Sequence, residues 1–196
     1  MARLEIITGP MFSGKSEEVI KRLKKPGYKN KKILVVKPSE DTRTARETFE
    51  MITKDKYLAS YKNLKTKTID NYEGLKEAVK ASSPEILVID EAQFLGLWLI
   101  DAVKEILESN SENEDFVIIV TGLYKDFLRN PFGPIPELIL QTEPDEITIL
   151  SAVCDKCEKR PAQSTYKIGG SRNLQKEQGD KDIYQARCRI CHKLPE

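Results

Sequence analysis

The chain has 196 residues, enough to bury one sizeable core or one core with a small satellite. Charged residues make up 32% of it but nearly cancel to a formal net charge of +1, so no global basic field argues for nucleic acid or a membrane surface as a partner. Hydrophobic residues are 39%, no apolar stretch approaches the roughly 18 residues of a spanning helix, and MARLEIITGP lacks an apolar leader, which together set the expectation of a cytoplasmic globular protein.

Apolar runs alternate with amphipathic stretches over the first three quarters of the chain. Leu4 to Thr8 (LEIIT) reads as a short buried strand, followed by a glycine loop and a helix from about Ser16 to Lys25. Ile33 to Val36 is a second strand. Residues 44–66 are polar, lysine-rich and poorly periodic, and read as a mobile excursion. Tyr72 to Ala81 has helical character, and Ile86 to Ile89 is a third strand ending in Asp90-Glu91. Leu97, Ile100, Val103, Ile106 and Leu107 recur at helical spacing, and Phe116 to Val120 is another continuous apolar run. Continuous runs alternating with helices mean a parallel sheet covered on both faces. After about Glu146 the apolar runs shorten and all four cysteines appear, so the expected division is an α/β domain over 1–150 and a small cysteine-bearing domain over 151–196.

Gly9-Pro10-Met11-Phe12-Ser13-Gly14-Lys15-Ser16 satisfies G-x-x-x-x-G-K-[ST], between an expected strand and an expected helix. The glycines let backbone N–H groups turn inward around phosphates, Lys15 supplies charge to the β- and γ-phosphates, and the Ser16 hydroxyl is placed for Mg²⁺. The helix starting at the loop turns its positive end to the anion. Asp90 ends a buried strand at the carboxyl edge of the sheet, where open α/β sheets bind ligands, and is the candidate second acid for the magnesium. Glu91 is then directed at the transferred phosphoryl group, where a carboxylate takes a proton from an attacking hydroxyl. In a water-activating ATPase, Glu91 would polarise water instead. Asp41-Thr42-Arg43 follows the second strand, so Arg43 could steady phosphoryl charge; a surface ion pair is the competing reading.

Cys154-x-x-Cys157 and Cys188-x-x-Cys191 are two knuckles 30 residues apart. Four thiolates make a closed, structural zinc site. A redox pair and an iron–sulfur cluster are the alternatives, and neither is supported by the surrounding pattern. His192, the only histidine, is redundant as a ligand beside Cys191 and reads as a surface residue.

GPMFSGKS, the DTR after the second strand, DEAQF, GLYKDFLRNPFGPIPEL, AVCDKC and YQARCRICH, in that order, resemble the thymidine kinases of the type shared by bacteria and animal cytosol. The resemblance spans nearly the whole chain. It implies a P-loop NTPase-like α/β domain and a zinc-ribbon-like domain, whose loop between the knuckles closes over the nucleoside as a lasso. It implies transfer of the ATP γ-phosphate to the 5′-hydroxyl of thymidine or deoxyuridine, giving the monophosphate for nucleotide salvage. Glu91 matches the general base. Asp90, Glu91, Ala92 and Gln93 match the block that borders ATP and Mg²⁺. Met11, Phe94, Leu123, Phe127 and Phe132 match the walls of the nucleoside pocket, Phe127 stacking on the pyrimidine. Tyr184 matches a substrate-anchoring tyrosine and Thr165 a pocket threonine, with Ser164 the alternative. Arg129 is expected to order the site. Homotetramers and dTTP as feedback inhibitor are further expectations, as is the absence of nucleic-acid or membrane partners. The lasso segment GGSRNLQKEQGDKDIY is shorter and more polar than is usual in the family, which leaves open altered base specificity.

Overall fold

The computed structural model describes residues 1–39, 55, 58–169 and 181–193. Six parallel strands form one sheet: β1 (Arg3–Thr8), β2 (Ile33–Pro38), β3 (Leu64–Ile69), β4 (Ile86–Ile89), β5 (Val117–Gly122) and β6 (Glu146–Ile149), in the order β3-β2-β4-β5-β1-β6. The four central strands are buried along nearly their whole length, as their unbroken Val/Ile/Leu runs require. Alternate residues feed two cores. Leu4, Ile6, Leu34, Val36, Leu87, Ile89, Ile118 and Val120 face α2 (Tyr72–Ser82), α3 (Trp98–Ser109) and α4 (Ile135–Gln141). Ile7, Ile33, Val35, Ile86, Val88, Val117 and Ile119 face Val19, Ile20 and Leu23 of α1 (Lys15–Leu23).

Residues 44–54 of the expected excursion lie outside the described residues, but its end is ordered and packed. Leu58 and Tyr61 are buried in the α1-side core, and the Tyr61 hydroxyl donates to the Leu23 carbonyl at 3.1 Å. Leu64 onward forms β3, which pairs along β2. Its lysines 65 and 67 are exposed on an edge strand, a composition that obscures a strand in sequence while guarding the edge against further pairing. Strand β6 and helix α4 were likewise not expected: β6 is an exposed edge strand and α4 has only seven residues.

Beyond β6 lie two small antiparallel pairs, β7 (Ala152–Val153) with β8 (Pro161–Ala162), and β9 (Ser164–Lys167) with β10 (Tyr184–Arg187). They hold the cysteines, which pack with Ala162 and Ala186 in a third, small core. No helix among the described residues is long and apolar enough to cross a membrane.

A charge cluster holds β6 to the sheet. Glu5 and Glu146 are register partners on neighbouring strands, where like charges repel. Arg22 of α1 lies between them: it bonds the Glu5 carboxylate, donates to Glu146 at 2.6 Å and Thr148 Oγ1 at 2.7 Å, and also reaches Glu18 at 3.2 Å. Arg22 and Glu5 are each 4% exposed. Removing one partner of such a pair strands the other charge in the interior, whereas replacing both with apolar residues removes that cost. Arg22→Met is therefore expected to lower stability by about 3–5 kcal/mol in urea titrations, and Arg22→Met with Glu5→Leu to recover most of it.

Candidate active site and cysteine cluster

The chemistry gathers at the carboxyl edge of the sheet because four strand ends meet there. The glycine loop leaves β1 and α1 begins at Lys15. Gly14 caps the helix at φ 80°, ψ 26°, a left-handed conformation in which a side chain would be strained. The Lys15 ammonium donates to the Pro10 carbonyl at 3.0 Å. Burial of that ammonium lowers the Lys15 pKa, while the nearby charges of Glu91, Asp90 and Glu17 oppose the shift.

Asp90 is 2% exposed and its N–H is held by the Val36 carbonyl at 2.9 Å, fixing it between β4 and β2. Glu91 sits at φ 51°, ψ 39°, a left-handed position that costs a non-glycine residue strain and is sustained by its surroundings. Gln93 supplies that support. Its amide nitrogen donates to the Glu91 carboxylate, and its carbonyl oxygen accepts from the Leu123 N–H at 2.9 Å. The fit needs Gly122: a Cβ there would come within 2.2 Å of Gln93 Oε1 and 3.1 Å of the Ala92 nitrogen. Strand β5 lies between β1 and β4, so its end, Gly122-Leu123, separates the glycine loop from Asp90-Glu91.

The segment after β5 folds around Asp126, whose carboxylate accepts from the N–H groups of Leu128 and Asn130, each at 2.8 Å. This turn buries Phe127 and Phe132, and Phe132 meets Phe94 edge to face at 6.0 Å. Strand β9 comes to the same place from the cysteine-bearing region. Thr165, rather than Ser164, turns inward, and its Oγ1 accepts from the Met11 N–H at 3.0 Å, joining β9 to the glycine loop. Tyr184 stands opposite Lys167 in register, and the Lys167 ammonium lies 5.0 Å from the Phe127 ring centre and 5.9 Å from that of Tyr184.

The expected residues Met11, Lys15, Asp90, Glu91, Gln93, Leu123, Phe127, Thr165 and Tyr184 are thus tied by contacts into one region. Phe12 instead is partly exposed at φ 62°, with Lys181 over its ring at 5.7 Å. Asp41, Thr42 and Arg43 lie outside the described residues, as does the lasso over 170–180.

Three contributors went unrecognised in the sequence. Asp126 was visible only as part of a quoted block, and Lys167 carried no signal, since its place opposite Tyr184 follows from strand register. His192 requires a correction: it is not a surface residue but is 4% exposed. Its Nε2 lies 3.0 Å from both the Phe127 and the Thr165 carbonyl oxygens, and Tyr166 packs against its ring edge to face at 5.2 Å. Burial, with the Arg129 guanidinium beside it, holds the imidazole below its usual pKa. In sequence it is redundant as a ligand beside Cys191, and nothing there signals that the fold buries it between exposed neighbours (Arg189, Ile190, Lys193).

The sulfur atoms of Cys154, Cys157, Cys188 and Cys191 lie within 4.8 Å of one another, Cys157 and Cys188 at 3.9 Å, and none forms a disulfide. A tetrahedron with metal–sulfur bonds of about 2.3 Å has edges of about 3.8 Å, so the cluster fits a zinc ion. The thiols divide accordingly. Burial opposes the Cys154 thiolate, but N–H groups of Cys188, Cys157 and Lys156 outweigh it and lower its pKa to about 6. Cys191 is pushed up to about 12 by hydrogen bonding to Cys188 and by burial. Four adjacent thiols cannot all ionise without a cation, and a bound metal removes that conflict.

A family model for thymidine kinase matches residues 2–192. A thymidine kinase of Metamycoplasma arthritidis (strain 158L3-1) is 37% identical over 190 residues, covering 96% of this chain and 89% of its own. One from Mycoplasma mobile is 38% identical over 189 residues, 96% of this chain and 86% of its own. One from Ureaplasma parvum serovar 3 is 36% identical over 196 residues, 98% of this chain and 83% of its own. With the match running from β1 through the last cysteine, the chain belongs to the thymidine kinase family.

Proposed function

We propose that the protein transfers the γ-phosphoryl group of ATP to the 5′-hydroxyl of thymidine, with deoxyuridine as a second acceptor. The observation that supports this reading is that the glycine loop and the buried aromatic residues Phe127 and Phe132 come to one sheet edge, the Met11–Thr165 hydrogen bond tying the loop to β9. A water-activating ATPase has no need of such an aromatic set.

In this reading the loop from Gly9 to Ser16 holds the phosphates, its N–H groups and Lys15 balancing their charge. Glu91 takes the proton from the 5′-hydroxyl as that oxygen bonds to the γ-phosphorus. The bond from phosphorus to the β–γ bridging oxygen breaks, and ADP leaves. Ser16 and Asp90 would hold Mg²⁺, which neutralises phosphate charge when bound. The fit rests on the chemistry of the donors: two buried carboxylates follow β4, one strand away from the glycine loop that follows β1. Arg43 and Asp41 are assigned to the phosphates from sequence. Met11, Phe94, Leu123, Phe127, Phe132, Thr165 and Tyr184 form the nucleoside pocket, Phe127 stacking on the base. The same reading divides the chain at residue 150 into a nucleotide-binding domain and a zinc-binding domain, and includes a cytoplasmic homotetramer inhibited by dTTP.

Turnover with ATP and Mg²⁺, following ADP and nucleoside monophosphate with thymidine, deoxyuridine, deoxycytidine or deoxyguanosine, is the direct test. ADP formation should require thymidine or deoxyuridine and match monophosphate one to one; ADP release indifferent to nucleoside overturns the reading. Glu91→Gln should lower kcat by about 10²–10⁴-fold, with the KM for ATP within a few-fold of wild type. Metal analysis of the purified wild-type protein should find one zinc per chain, and Cys188→Ser should lose it and melt at lower temperature.

A further inference from the structure

His192 gathers four connections on one residue. Its N–H donates to the Cys188 carbonyl at 2.9 Å, closing the second cysteine knuckle, and its own carbonyl accepts from Arg129 Nη2 at 2.9 Å. Its Nε2 lies 3.0 Å from two carbonyl oxygens that belong to different parts of the molecule, Phe127 after β5 and Thr165 on β9. Two acceptors on one ring nitrogen require that nitrogen to carry the proton. Nδ1 is then an acceptor, and it has no partner among the described residues. The ring therefore spends its one donor on bridging these two segments and keeps a buried polar atom unsatisfied to do so, which is a cost that plain packing would avoid.

The bridged residues are those with most to fix. Phe127 provides the aromatic face, and Thr165 holds the Met11 N–H of the glycine loop. We infer that His192 is a positioning residue for the nucleoside: by clamping the Phe127 and Thr165 carbonyls it sets the distance between the stacking ring and the opposing wall, and so controls thymidine affinity. The inference rests on the reading that these two residues line the nucleoside pocket.

The full-length, zinc-loaded protein is assayed with ATP, Mg²⁺ and thymidine as wild type, His192→Phe, His192→Gln and His192→Asn. Phenylalanine keeps the bulk and removes the donor. Glutamine carries an NH₂ group at the reach of Nε2, with a hydrogen for each carbonyl, while asparagine is too short to reach them. Losing a donor shared by two buried acceptors should raise the KM for thymidine by about tenfold in His192→Phe and His192→Asn. The KM for ATP should stay within about twofold, and His192→Gln should restore most of the thymidine affinity. Rescue by glutamine but not asparagine, confined to thymidine, is the outcome a merely structural role does not give. If glutamine fails to rescue, if both KM values rise together, or if phenylalanine behaves as wild type, the inference falls. Should His192→Phe not fold, the glutamine and asparagine variants decide the matter alone. Wild-type protein that turns over no thymidine would instead overturn the kinase reading itself.

Discussion

The six-stranded sheet is closed off on both faces, by α1 on one side and by α2, α3 and α4 on the other, and its central strands have no surface left on which to carry polar chemistry. Functional groups are forced to the strand ends, and at the carboxyl edge those ends converge. The order β2-β4-β5-β1 then fixes which chain segments become neighbours: the loop after β1, the glycine and leucine that end β5, and the acidic pair that ends β4. The strands behind them are buried along nearly their whole length, and close-packed interiors resist displacement, so a carboxylate at a strand end is held by the core.

That rigidity permits local strain. Glu91 occupies a backbone conformation that is unfavourable for any side chain, and it stays there because Gln93 ties its carboxylate to the Leu123 N–H across a gap that only a glycine at 122 leaves open. The arrangement holds a buried carboxylate within electrostatic reach of a half-buried lysine in advance of any substrate, which is what charge stabilisation by preorganised groups requires. The same principle governs the aromatic turn after β5. Phe127 is held by a turn built on Asp126, by the bridge through His192, and through Thr165 by the glycine loop itself. The cysteine-bearing region is therefore more than an appendage, since the residue after its second knuckle bridges the Phe127 turn and β9.

Much of this was legible in sequence. Continuous apolar runs fixed β1, β2, β4 and β5 to within a residue or two, because burial on both faces leaves no alternation to misread. The glycine loop, the acidic pair and the two cysteine knuckles were legible for a related reason: phosphate, a divalent cation and a soft metal each demand particular atoms at short spacing along the chain. Edge strands gave no such signal. In β3 and β6 the exposed residues are polar or mixed, and their strand character comes from pairing with a neighbour, which is a property of the partner as much as of the segment.

By itself, then, the sequence determined an α/β chain with a glycine loop after its first strand and a four-cysteine centre, since those features depend on local periodicity and local ligand spacing. Only the tertiary structure decided what lies between distant segments. Glu5 reads as an interruption in an apolar strand until Arg22 is seen between it and Glu146. Thr165 rather than Ser164 faces Met11 because the pairing of β9 with β10 sets which side of the strand turns inward. His192, flanked by exposed residues, became a buried bridge because the knuckle folds back onto β9 and the Phe127 turn. These contacts join residues 17 to 154 positions apart, and nothing in the spacing along the chain encodes a distance that only the closed fold creates.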